Sequence, residues 1–317
     1  MATNLCGIIG GNVGPIQCEK KPGIPKKIFP GAKTFVSADY ADSATFKAAL
    51  LAACKLAMGS STKLFPSPEV QGVEDKTEAN KEGTLAFGFK EVLLEGLPAW
   101  EFKFLMGTTE YQAWRKFNGA TIPVFITDNQ NLFWGKRSGA TNTDLVGFDA
   151  YLWFTGNKFG NASENVVVTG TISLRSATDF HDYASYIPFN FNINDAKGLM
   201  DVVLSEPVSH TSNVYKIKAE ILTAQLGNKI NLHDDYAAVL NDDALWVAHT
   251  GANYGTALTI TSVAADATNK GFTVTFDSTA FTALSSGAKI KFNLAAPSVL
   301  DAANVVGVEG TAIILTK

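Results

Sequence analysis

The stretch Trp100-Glu101-Phe102-Lys103-Phe104 alternates aromatic and charged side chains. Such alternation puts one set of side chains on each face of a strand, so it calls for a sheet with one buried face. The same period of two recurs from Thr84 almost to Lys317, whereas a strong helical repeat occupies residues 43–58. The chain is therefore expected to be mainly β, in the α+β class, with its helices as outlying pieces.

Three regions follow from this pattern. Residues 1–36 are rich in Gly, Pro and Lys without periodicity, and read as an extended N-terminal arm. Residues 37–207 read as a β domain with one flanking helix. In that helix Phe46, Leu50, Cys54 and Met58 repeat every four residues, with Ser43 as cap and Gly59 as stop. Residues 67–83 are polar and charged, and read as a long exposed loop. Two strands are expected on either side of a tight turn at Glu95-Gly96. The row Trp100, Phe102, Phe104 of the second is expected to pack on the 43–58 helix. Residues 108–119 read as a short helix capped by Thr108, and 121–135 as a hairpin turning at Asp128–Asn131. Residues 147–156 and 164–174 read as strands paired across 157–163; 187–195 and 198–207 close the domain. Residues 208–317 hold seven short β-rich runs between turn signals. That is the pattern of an Ig-like β-sandwich, here without a Cys…Trp…Cys signature.

With 46% hydrophobic and 18% charged residues the chain can bury real cores. Its arginines are Arg115, Arg137 and Arg175 alone, and the formal net charge is −4. Arginine is the side chain suited to gripping phosphate with two bonds at once, so specific nucleic-acid binding is not expected. No apolar run reaches the roughly 20 residues that span a bilayer, so no membrane partner is expected. No basic stretch followed by an apolar core near Met1 suggests export. The odd number of cysteines (Cys6, Cys18, Cys54) reads as free thiols.

The glycines at 7, 10, 11, 14 and 23 match neither a phosphate loop nor G-x-G-x-x-G, and Cys6 and Cys18 have no histidine nearby. No cofactor or zinc is expected. His181-Asp182 and His233-Asp234-Asp235 would put neighbouring side chains on opposite faces of a strand, and no G-x-S-x-G elbow accompanies them. No catalytic residue is assigned, and the chain is not expected to be an enzyme. The acidic group Asp234, Asp235, Asp242 and Asp243 is the one a calcium ion could use; its spacing departs from the EF-hand loop, and it reads as solvated turns. The sequon Asn161-Ala-Ser163 reads as accidental.

The order of elements runs arm, alanine-rich helix, "LFPSPEV", charged loop, "GTLAFGFKEVLLEGLPAWEFKF", "YQAWRKFNG", "VFITDNQNLFWG", paired strands and Ig-like tail. Over about residues 1–205 this layout resembles the major tail (tail tube) proteins of tailed bacteriophages, of the kind that infect Bacteroidetes-type bacteria. The resemblance implies a tail-tube-like β-sandwich or barrel with a flanking helix. It implies hexameric rings that stack into a hollow tube in the virion, after synthesis in the host bacterial cytoplasm. The implied partners are further copies of the chain, other virion proteins, and double-stranded DNA that passes without being held. On this reading Gly10, Gly11, Gly14, Pro15, Lys20, Lys21, Pro22, Lys26 and Lys27 form a strap to an adjacent subunit. Glu69, Glu74, Asp75, Lys76, Glu78, Lys81 and Glu82 form a loop between rings. Glu101 and Lys103, or the alternate positions of 147–154, face the bore. A capsid decoration, head-fibre or minor head protein would share much of the layout. A surface glycan-binding module is a further alternative.

Overall fold

The computed structural model describes residues 20–84, 90–138, 143–156, 167–223 and 228–317. Gly10, Gly11, Gly14, Pro15, Cys6, Cys18, the sequon and the 157–163 connection lie outside them. The fold is mainly β.

The expected arm ends sooner than its composition suggests. Pro25–Pro30 is a strand, β1, paired antiparallel with β6 (Thr121–Asp128). Ile28 and Phe29 are fully buried, on opposite faces of it. Lys26 and Lys27 therefore sit in a sheet and not in a strap. Lys27 is buried, its Nζ donates to the Ala196 carbonyl at 2.7 Å, and burial pushes its ammonium pKa down.

The helix α1 spans Ser43–Cys54, shorter than its repeat suggests. Asp42 caps it in place of Ser43, its Oδ1 accepting from Thr45 N at 2.8 Å. Phe46, Leu50, Ala53 and Cys54 pack on Phe29, Phe35, Phe125 and Phe133. Met58 lies beyond the helix end and is exposed. The Cys54 thiol is buried among these rings and pushed up to about 12 by desolvation, so it is an inert core side chain.

Residues 67–83 are not a loop. β2 (Val70–Asp75) pairs with β5 (Ala99–Phe104), and β3 (Lys81–Thr84) pairs with β4 (Lys90–Leu94). The tight turn expected at Glu95-Gly96 does not form a β4–β5 hairpin. Both edges of β5 are already taken, one by β2 and one by β10 (Val168–Leu174). Gly96 packs so closely on the Glu78 carbonyl that a Cβ there would collide with it, and its N–H donates to Asn80 Oδ1 at 2.8 Å.

The helix α2 (Thr108–Trp114) starts from Gly107, without a side-chain cap, so Thr108 does not serve as one. β7 (Leu132–Ser138) turns back from β6 through Asp128–Asn131 as expected. It is followed by β8 (Asp144–Val146) and β9 (Phe148–Thr155), and β9 pairs with β10 as the sequence suggested. After α3 (Ala177–His181), β11 (Ala184–Pro188) joins β7. These nine strands make one sheet in the order β11-β7-β6-β9-β10-β5-β2, with β1 on β6 and β8 on β7.

The sheet curls until β1 meets the segment that enters β2. Phe65 N donates to the Pro30 carbonyl and Ser67 N to the Ile28 carbonyl, both at 2.9 Å, so the segment entering β2 zips onto β1. The barrel so formed encloses Phe102, Phe104, Val124, Phe148, Leu152 and Ile172. Tyr111 and Trp114 of α2 join this core, and the Phe104 and Trp114 rings both meet Phe154. The aromatic row thus packs with α2 and not with α1; Trp100 lies against Phe180, 5.2 Å away.

All seven runs expected in the C-terminal region form strands. A six-stranded sheet contains β12 (Met200–Ser205), β13 (Val214–Leu222), β14 (Lys229–Asn231), β16 (Ile260–Asp266), β17 (Gly271–Phe276) and β19 (Val308–Thr311). A three-stranded sheet contains β15 (Trp246–Thr250), β18 (Lys289–Leu294) and β20 (Ile313–Thr316). Short helices α4 (Leu232–Tyr236), α5 (Ser278–Thr282) and α6 (Pro297–Ala302) link them. Tyr215, Ile217 and Phe272 of the larger sheet meet Trp246, Phe292 and Leu315 of the smaller in one core. β12, which the sequence reading put in the first domain, pairs antiparallel with β13 and parallel with β19. The division therefore falls before β12 and not at 207.

The two regions touch through charge. Glu309 accepts from Met58 N at 2.7 Å and lies 3.3 Å from Lys63 Nζ, and Lys55 pairs with Asp301. Lys63 is buried and also donates to the Leu56 carbonyl at 2.6 Å.

Candidate functional site

The outer face of the barrel is only partly covered. Phe125 of β6 faces α1, and alternation puts Pro123 and Thr121 on that same face. Pro123 pairs with Asp149 and Thr121 with Tyr151. The face continues through Tyr151 opposite Ser173 and Trp153 opposite Thr171, and then through Thr171 opposite Glu101 and Thr169 opposite Lys103. It ends at Glu74 on β2, opposite Glu101. The two alternatives for bore-facing residues, Glu101 with Lys103 or the alternate positions of β9, are thus one surface.

Its two halves differ. On β9, Tyr151 is 45% and Trp153 is 48% exposed. On β5 and β2 the face is charged: Lys103 and Lys76 both pair with Glu74, the latter at 3.0 Å. Hydrogen bonds from Lys103 and then Lys76 hold the Glu74 carboxyl down to about 2, and the same bond to Glu74 raises the Lys103 ammonium.

The residues expected to contact neighbours fall in several places. Lys20, Lys21 and Pro22 precede β1 and are exposed. Glu69 is exposed just before β2; Glu74 and Asp75 are on β2; Lys76 and Glu78 follow it; Lys81 and Glu82 are on β3. β3 and β4 form a two-stranded sheet of their own, with Val92, Leu94 and Leu97 exposed on and beyond β4. Isolated hairpins are marginal in water.

The candidate metal ligands do not converge. Asp234 pairs with Lys270 at 3.0 Å, Asp242 Oδ1 accepts from Ala244 N at 3.0 Å, and Asp235 and Asp243 are exposed. Among the described residues no group of three or more His, Cys, Asp and Glu side chains could hold a metal ion. His181 and His233 lie on α3 and α4, not on strands, so the opposite-face argument does not apply to them. Among the described residues no helix is long and apolar enough to cross a membrane.

Set against known proteins, the chain matches no family model, no curated protein and no solved structure.

Proposed function

We propose that this chain is a structural protein that assembles with copies of itself, into stacked rings that form the tail tube of a bacteriophage. The observation that carries the reading is the uncovered face of the barrel, with Tyr151 and Trp153 half exposed beside a charged strip. Aromatic side chains of this kind are the anchors of protein interfaces, and neighbouring copies cover them at no cost in new chemistry. The charged strip from Glu101 and Lys103 to Glu74 suits water and faces the bore. It carries both signs of charge and no arginine, which keeps passing DNA from being held. The β3–β4 hairpin, with Lys81 and Glu82, reaches the next ring. The C-terminal region is an Ig-like appendage, modified by its parallel β12–β19 pair.

Electron microscopy and sedimentation of the purified chain test this reading. Rings or tubes are expected as concentration rises. A chain that stays monomeric at the highest concentrations reached would sink it.

A further inference from the structure

The seam that closes the barrel is zipped at one end only. Past the bonds from Phe65 to Pro30 and from Ser67 to Ile28 it opens toward Pro22. Pro22 and Pro25 have no N–H to give. Gly23 N and Ile24 N are already taken, by Asp128 Oδ2 at 2.9 Å and Asn129 Oδ1 at 3.0 Å in the β6–β7 turn. A slot of about 580 Å³ lies between residues 22–25 and β2. It runs into the barrel interior, because Val73 is opposite the core residue Phe102 and Asp75 is opposite Trp100. Small-molecule sites commonly enclose about 300–1,000 Å³, and the mouth of a β-barrel is one of their usual places.

The floor of the slot is aromatic and held in place. Trp100, Trp134, Phe148 and Phe180 line it. Trp134 Nε1 donates to Asp128 Oδ2 at 2.8 Å, and its ring lies 4.8 Å from that of Tyr186. The Phe180 ring meets Trp100 at 5.2 Å and Phe148 at 5.7 Å. Rings fixed by their neighbours lose little freedom when a ligand lies on them, and they favour a flat aromatic partner. Val73 and Ile126 add aliphatic surface.

The charge of the lining has one sign. Among the described residues it holds Asp75 and Asp128 and no Lys, Arg or His. Asp128 is buried, and its two oxygens accept from Gly23 N, Trp134 Nε1, Gln130 N and Leu132 N, so it serves the turn. Asp75 is exposed at the other lip. Its Oδ1 accepts from Thr77 N at 2.9 Å, and bonds from the Thr77 side chain and then its amide hold the carboxyl below the ordinary carboxylate range. An ionised carboxylate has about four acceptor positions, so Asp75 keeps room for a further donor. The faces of tryptophan rings attract cations as well. We propose that the slot binds a small organic cation, with a flat ring on the aromatic floor and an ammonium group against Asp75. The site belongs to the barrel of one chain and does not depend on assembly.

Titration calorimetry of the full-length chain tests this with three probes that share one ring: naphthylethylamine, naphthylethanol and naphthaleneacetate. The amine is expected to saturate a single site and to bind at least about tenfold more tightly than the acid, with the alcohol between them. Asp75→Asn keeps an acceptor for Thr77 N. It is expected to bring the amine down to the affinity of the alcohol and to leave the alcohol unchanged. Asp234→Asn, on the sandwich, removes the same charge elsewhere and should leave amine binding as it is. No saturable binding of the amine would overturn the slot as a site. Amine and acid bound alike would overturn the cation as its ligand. A preference that survives Asp75→Asn, or that Asp234→Asn removes equally, would overturn the role of Asp75. Trp100→Ala is expected to weaken all three probes with unchanged circular dichroism, and undiminished binding would overturn the aromatic floor. Should that variant fail to fold, the Asp75→Asn comparison decides alone.

Discussion

On the outward face of the C-terminal sandwich, β13 presents Lys216, Lys218 and Glu220. Lys216 pairs with Asp266 at 3.1 Å and Lys229 with Glu220 at 2.7 Å. On the barrel, the outward positions of β9 are Asp149, Tyr151, Trp153 and Thr155. Both faces belong to antiparallel strands with alternating burial. One is dressed with ion pairs that water tolerates; the other keeps two large rings half exposed. Under the proposed assembly, the contrast makes the β9 face of the barrel the surface on which association is to be tested.

The largest effects concern whether the two regions are separate folding units. Phe133 meets the rings of Phe29, Phe35, Phe46 and Phe125, while Phe272 packs on Trp246 at 5.3 Å. Phe133→Ala and Phe272→Ala are each expected to cost about 3–5 kcal/mol. Calorimetry should show each lowering the transition of its own region. A shift of a single shared transition by both would break the comparison.

Next in size is the aromatic face. Tyr151→Asp with Trp153→Asp is expected to weaken association by about 2 kcal/mol or more, roughly thirtyfold, without lowering the melting temperature. Lys218→Asp on the sandwich is the matching control and should leave sedimentation unchanged. Equal losses from both would mean that the difference between the faces carries no function.

The contact between the regions comes third. Glu309→Gln leaves the buried Lys63 without its carboxylate, and about 1–3 kcal/mol of local stability should go with it. Hydrogen exchange at the Met58 amide is the readout, with acceleration of about tenfold expected; an unchanged rate would show that the two regions do not lean on each other there.

The smallest effect is on pH dependence. The Glu74 carboxyl is depressed in the folded state, so what its pairs contribute is complete above the ordinary carboxylate range and is lost as pH falls through about 2. A carboxyl-carbon NMR titration should find that midpoint, and Lys103→Met should move it upward. Because the group is exposed, melting should change little over the same range. An ordinary midpoint in the wild type would mean that the charged strip is not organised as described.

How much was legible depends on how local each signal is. The β6–β7 hairpin and the β9–β10 pair were readable because their turns and alternation lie within a few residues. The Gly/Pro-rich composition of 20–36 hid β1. That strand exists because Ile28 and Phe29 find two cores, one on either face, and both are built from distant residues. The charges of 67–83 likewise hid β2, which half faces water and needs the edge of β5. β12 was assigned to the wrong region because its partners, β13 and β19, are read only when the chain has folded back. The aromatic face was half legible: alternation split 147–154 into two sets, but only pairing with β6 and β10 puts the set of Tyr151 and Trp153 on the outer face.

By itself the sequence determined the β-rich class, the alternation of segments such as 99–104, and the seven C-terminal runs that form strands. These follow from backbone geometry and side-chain alternation, which act within a single strand. Only the tertiary structure decided which edges meet. β5 spends both of its edges on β2 and β10, so β4 must pair elsewhere; two prolines and the Asp128 turn hold β1 off β2, so the barrel closes at one end and opens into a slot at the other. Edge pairing is a competition among distant partners, and no local pattern records its outcome.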